Sequence, residues 1–131
     1  MMKNMTDREL MDLAMAAAKN AHVPYSRFPV GAALECEDGA VFTGCNVENA
    51  AYGSTICAER TAAVKAVSEG HKNFRRIAIW GNSKSHCWPC GACRQFLAEF
   101  GREDMIVLVG QANGDFVSLT MGELLPHTFD F

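Results

Sequence analysis

A chain of 131 residues has room for one domain, expected to span 1–131, and for no second core. Its 49% hydrophobic and 21% charged residues are ordinary for a globular protein; little is left over to wall a deep pocket, which favours a site completed by a neighbouring subunit. The formal charge of −3, with Arg75-Arg76 the only adjacent basic pair, argues against a nucleic-acid partner, and no apolar run approaches the roughly 20 residues that a membrane helix needs.

Residues 1–5 lead into an amphipathic pattern rather than a signal-peptide block, so a cytoplasmic protein is expected. Thr6-Asp7-Arg8-Glu9 reads as a capping box. Leu10, Leu13, Ala14, Ala17, Ala18 and Ala21 follow at helical spacing, with Pro24 as the stop. Residues 29–36, Asp38-Gly39 and residues 40–45 read as a β-hairpin. A second helix is expected over 57–69 with Gly70 as its stop, a short buried strand over 77–80, and a third helix over 91–100 stopped by Gly101. Strands over 105–110 and 116–119 flank the hairpin signal Asn113-Gly114. Thr120-Met121-Gly122-Glu123 is a second capping box, opening a short helix that Pro126 closes.

The order α-β-β-α-β-α-β-β-α points to an α/β fold, a three-layer α-β-α sandwich with a mixed five-stranded sheet. Pairing is expected to be parallel where helices separate the strands and antiparallel in the two hairpins.

The six cysteines, Cys36, Cys45, Cys57, Cys87, Cys90 and Cys93, are expected to be reduced, so clustering among them suggests metal or redox chemistry. Cys57 and Cys90 both fall at expected helix N-termini, where the dipole favours thiolate over thiol. Cys90 and Cys93, three apart, share one helix face; with Cys57 they make three soft ligands suited to Zn²⁺. Three ligands leave a fourth tetrahedral position open, as in catalytic zinc sites. Glu59 stands two residues after Cys57. If Cys57 sits at the helix start, Glu59 can face that open position without ligating the metal.

The pattern Cys57-Ala58-Glu59 followed by Pro89-Cys90-Gly91-Ala92-Cys93 resembles the zinc deaminase signature, and the resemblance to the cytidine deaminase family covers nearly the whole chain. Pro24-Tyr25-Ser26-Arg27-Phe28-Pro29-Val30-Gly31-Ala32-Ala33 is similar to the family's N-terminal block. Gly44-Cys45-Asn46-Val47-Glu48-Asn49-Ala50 is similar to its ribose-binding block, and Glu123-Leu124-Leu125-Pro126 with Phe129 to its C-terminus.

The resemblance implies hydrolytic deamination of free cytidine and deoxycytidine to uridine and deoxyuridine in pyrimidine salvage, with one Zn²⁺ per subunit and Glu59 as proton shuttle. It implies Phe28 on the pyrimidine face, Asn46 and Glu48 on the ribose 3′-hydroxyl, and the Ala58 N–H on the base carbonyl. It implies a homotetramer in which main chain around residues 50–52, including Tyr52, and Phe129 reach a neighbour's site. Arg60 and Arg94 are placed to donate hydrogen bonds to the sulfurs; the resemblance supports that role for Arg60 only.

Alternative readings remain. The substrate could be another small cytosine nucleoside of the antibiotic type. Cys87-Trp88-Pro89-Cys90 is an overlapping C-x-x-C, which allows a closed four-thiolate structural zinc in a nonenzymatic module, or a redox pair. Trp88 either narrows the pocket mouth or is a surface aromatic. The four histidines are read as structural or solvated.

Overall fold

Alternation along the three central strands sorts the core into two apolar layers. The computed structural model describes residues 5–131; residues 1–4, most of the stretch read as an amphipathic lead-in, lie outside them. The strands β1 (Val30–Cys36), β2 (Val41–Cys45), β3 (Phe74–Gly81), β4 (Gly101–Gly110) and β5 (Phe116–Thr120) form one sheet in the order β2-β1-β3-β4-β5. The helices are α1 (Asp7–Ala17), α2 (Ala58–Ser68), α3 (Gly91–Phe100) and α4 (Met121–Leu124). Because successive strand residues point to opposite faces, Ala33, Ala78 and Leu108 pack with Leu10, Met11 and Ala14 of α1. Their neighbours Ala32, Leu34, Ile77, Ile79, Val107 and Val109 pack on the other face with Ala62, Ala63 and Ala66 of α2 and Leu97 of α3. This is the expected sandwich of helices on a mixed sheet.

Both capping boxes form: Thr6 accepts from the Glu9 N–H and Thr120 from the Glu123 N–H, each glutamate returning the bond. Gly39 and Gly114 take φ of 92° and 90° in the two hairpin turns, a conformation that only glycine adopts freely.

Three expectations are corrected. β3 and β4 pair in parallel, but β3 lies antiparallel to β1 although a helix separates it from β2. The reason is that α2 packs over both β1 and β2, so the chain crosses the hairpin and β3 lands on the far side of β1. α1 ends at Ala17, followed by a 3₁₀ turn over Ala18–Asn20, well before Pro24. Ala21 is already extended (φ −60°, ψ 138°) and leads into His22, which forms an isolated bridge with Val47. β3 and β4 also begin earlier than their apolar runs, since Phe74 pairs with Gly101.

The adjacent arginines serve the fold. Arg76, only slightly exposed, donates to Glu35 at 2.8 and 3.1 Å and to Asp7 at 2.5 Å, tying the start of α1 to β1 and β3.

Two glycines set how closely the helices approach the sheet. A Cβ on Gly44 would lie 2.5 Å from the Ala62 nitrogen of α2, and one on Gly31 would lie 1.8 Å from the Ala14 carbonyl oxygen of α1. Both obstacles are backbone, so neither can rotate aside. Gly31→Ala is expected to cost about 3 kcal/mol of stability through overpacking. Urea unfolding tests this, and an unchanged midpoint would show that α1 can back away.

Candidate metal centre

Two helix N-termini converge at the carboxyl end of β3. In open α/β sheets that end is where ligands bind. α2 starts there because the loop over residues 46–57 is pinned by the Val47–Ile56 bridge and by α2 lying against Gly44. α3 starts there because the loop over residues 82–90 leaves Gly81 and is held by two bonds. The Cys87 N–H donates to Gly110 at 2.8 Å, and the Ala112 N–H donates to Ser83 at 2.7 Å.

Cys57 is the N-cap of α2 and Cys90 the N-cap of α3, both with extended backbone and neither side chain capping its helix. Cys93 follows within the first turn of α3 and is buried. The sulfurs of Cys57 and Cys90 are 3.9 Å apart and those of Cys90 and Cys93 3.3 Å, and all three lie within 4.8 Å of one another. Three soft donors at two positive helix ends fit Zn²⁺, and three protein ligands leave a tetrahedral position for a reactant. Hydrogen bonding from Cys93 first, and from Arg60, holds the Cys57 thiol down to about 5. The Arg60 Nη2 lies 3.4 Å from the Cys57 sulfur, while its buried Nε has no partner among the described residues.

Cys87 is outside this cluster. Its sulfur lies against Gly81, where a Cβ would come within 2.7 Å of it. Burial first, then the charges of Glu59 and Cys57, pushes its thiol up to about 11. No closed four-sulfur arrangement is present among the described residues. Trp88 is half-exposed with its ring 5.9 Å from that of His86, and no histidine joins the cluster.

Glu59, in the first turn of α2, is buried at 4% exposure. Burial, reinforced by the charge of Cys57, pushes its carboxyl up to about 7. Ala58 beside it is fully buried, and as the first helical residue its N–H has no intrahelical partner.

Phe28 borders the same space: a Cβ on Gly81 would meet its ring at 2.9 Å as well as Cys87. Asn46 is tied to that segment, with Nδ2 donating to the Phe28 carbonyl and Oδ1 accepting from the Val30 N–H, both at 2.9 Å. Glu48 accepts from the N–H groups of Tyr25 and Ser26, each at 3.1 Å, and from the Ser26 hydroxyl. The Ser26 hydroxyl first, then those N–H groups, holds the Glu48 carboxyl below its ordinary value. A groove of about 420 Å³ lined by Tyr25, Ser26, Glu48, Tyr52 and Thr55 opens on this side.

Tyr52 is 75% exposed, its ring edge-on to Tyr25. Phe129 is also exposed, its carbonyl accepting from Gln95 at 3.3 Å, on a cavity of about 550 Å³ under the C-terminal tail. No cysteine or Glu59 lines that cavity, so its size is no guide to the chemistry.

The expectation for Arg94 is corrected. Its Nε donates to the Pro89 carbonyl and its Nη1 to the Leu124 carbonyl, both at 2.9 Å. It joins the start of α3 to the end of α4, and these bonds go to backbone oxygens rather than to sulfur.

Ser26 and Gly81 had no assigned role in the sequence. A glycine ending the apolar strand run was the available signal for close approach; nothing local marked Ser26.

Residues 4–109 match the family model described as the cytidine and deoxycytidylate deaminase zinc-binding region. The chain is 50% identical over 124 residues to a cytidine deaminase of Halalkalibacterium halodurans, covering 94% of each. It is also 50% identical over 113 residues to one of Sporosarcina psychrophila, covering 86% of this chain and 83% of that one. Among solved structures, a cytidine deaminase from Burkholderia pseudomallei is similar with a TM-score of 0.92 at 46% identity, covering 95% of this chain and 100% of that one. One from Mycobacterium tuberculosis is similar with a TM-score of 0.84 at 39% identity, covering 97% and 100%.

Proposed function

The chain belongs to the cytidine and deoxycytidylate deaminase family, and from that premise we propose that it hydrolyses free cytidine and deoxycytidine to uridine or deoxyuridine and ammonia. The observation that carries this reading is a buried glutamate, Glu59, beside three sulfurs that fit a catalytic rather than a closed zinc site.

Cys57, Cys90 and Cys93 would hold Zn²⁺, which when bound supplies the Lewis acidity that makes water a nucleophile near neutral pH. Glu59 accepts the proton of the attacking water on a carboxylate oxygen and gives it to N3 of the ring, which makes C4 electrophilic. The oxygen adds to C4. Glu59 then takes the second proton from the new C4 hydroxyl and delivers it to N4, and the C4–N4 bond breaks as the C4 carbonyl forms and ammonia leaves. Three thiolates would leave the metal site with a net charge of −1, which the two helix N-termini and Arg60 offset.

Phe28 packs on the base, and the Ala58 N–H donates to its carbonyl oxygen. Glu48 and Asn46 take the ribose 3′-hydroxyl. A carboxylate offers about four acceptor directions; three of those on Glu48 already serve residues 25 and 26. The remaining one suits a single sugar hydroxyl, which supports acceptance of both ribo- and deoxyribonucleosides.

The acting unit is a homotetramer. The exposed apolar side chains of Tyr25, Val47, Tyr52, Ile56 and Phe129 support it. Light scattering that returned a monomer at micromolar concentration would remove this part of the reading. No helix among the described residues is long and apolar enough to cross a membrane. A cytoplasmic place in pyrimidine salvage belongs to the same reading, and the net charge of −3 supports a small nucleoside rather than nucleic acid as the substrate.

The test is ultraviolet absorbance of purified protein with cytidine, alongside measured zinc. Conversion to uridine with zinc at one per chain is expected. Inactivity with zinc bound would point to another cytosine nucleoside.

A further inference from the structure

We propose that Ser26 is a positioning residue that couples the sugar-side carboxylate of Glu48 to the base-side ring of Phe28. The inference rests on the functional reading given above and adds to it a residue that carries no chemistry itself.

The segment over residues 24–29 has a backbone that needs holding. Arg27 adopts φ of 56°, in the left-handed region that non-glycine residues avoid. It stands between Ser26 and Phe28, so whatever restrains its neighbours fixes the direction in which the Phe28 ring leaves the chain. The Ser26 hydroxyl restrains both sides at once: it donates to Glu48 Oε2 and accepts from the Phe28 N–H at 3.0 Å. A hydroxyl that donates to a carboxylate is a better acceptor for its other partner, so the two bonds reinforce each other.

On the far side, the Asn46 side chain clamps the Phe28 carbonyl and the Val30 N–H. The ring itself lies against Gly81 and near Cys87, whose thiol feels the charge of Glu59. A continuous path therefore runs from Glu48 through Ser26 to Phe28 and the wall formed by Gly81 and Cys87. A sugar hydroxyl engaging Glu48 shares that carboxylate with Ser26, and any shift of Glu48 is passed to the ring on the base. Loss of the Ser26 hydroxyl loosens both contacts to the nucleoside and leaves the three sulfurs and Glu59 untouched.

Ser26→Ala, Ser26→Thr, Phe28→Leu and the Ser26→Ala/Phe28→Leu double variant test this in the zinc-loaded protein with cytidine. Ser26→Ala is expected to raise KM about tenfold, the loss of roughly one hydrogen bond to a charged network, with kcat within about threefold of wild type. Ser26→Thr, which keeps the hydroxyl, restores KM. The double variant is expected to have a KM well below the product of the two single effects, because both act on the Phe28 contact.

An unchanged KM in Ser26→Ala, a Ser26→Thr as poor as the alanine, or single effects that multiply in the double variant would each overturn the coupling. A drop in the thermal midpoint of Ser26→Ala by more than about 10 °C would assign the residue to folding instead. A wild-type protein that leaves cytidine unconverted would fell the functional reading first, and this inference with it.

Discussion

Glu59→Gln is expected to lower kcat for cytidine about 10⁴-fold while zinc stays at about one per chain, the upper end of what one acid–base group supplies. The magnitude follows from the double use proposed for Glu59, in which the same carboxyl takes protons from the attacking water and gives one to the leaving nitrogen. Glutamine has the shape of the buried side chain and can hydrogen-bond, but it cannot carry a proton between the two. The environment suits a shuttle: burial raises the proton affinity of the carboxyl, which favours its taking up a proton during the reaction. Glu59 is not one of the three clustered sulfur ligands, so metal content should not follow activity. Absorbance kinetics with metal analysis on the same sample checks both halves. Turnover within tenfold of wild type would remove Glu59 from the proton path, and loss of zinc would make it a ligand.

What was legible in the sequence was local. Thr6 with Glu9 and Thr120 with Glu123 mark helix starts because the bonds span three residues. Asp38-Gly39 marks a turn because its glycine adopts a φ that few other residues tolerate. Cys90 and Cys93 read as a ligand pair because their spacing places them on one helix face, and the N-cap position of Cys57 follows from its distance to Glu59.

What failed depends on partners distant in sequence. Arg94 stands next to Cys93, yet its guanidinium reaches Leu124, thirty residues on, which only the docking of α4 brings close. The antiparallel pairing of β3 with β1 depends on α2 crossing the hairpin. Ser26 looks like any serine in a loop until Glu48 and Phe28 are seen on either side of its hydroxyl.

The overlapping C-x-x-C patterns differ in helix position, and this leads to the second large effect. Cys90→Ala is expected to weaken zinc binding by more than about 100-fold, since outer partners of a ligand alone are worth 10–100-fold, and to abolish cytidine turnover with it. Cys87→Ser, three residues earlier, is expected to keep its zinc and to stay within about fivefold of wild-type activity, in the range of a substitution that touches no named mechanism. The contrast has a structural cause. Cys90 stands at the N-cap position of α3 with its sulfur near those of Cys57 and Cys93, whereas Cys87 spends its N–H on Gly110 and lodges its sulfur against Gly81.

A structural four-sulfur zinc would need Cys87 to leave that seat and would close the position that the reaction needs open. Competitive chelation followed by metal analysis reads the two variants on one scale. Equal zinc loss in both would mean that Cys87 is a fourth ligand and that the site is closed. Retention in Cys87→Ser alone leaves an open three-sulfur centre, which is what hydrolysis at Glu59 requires.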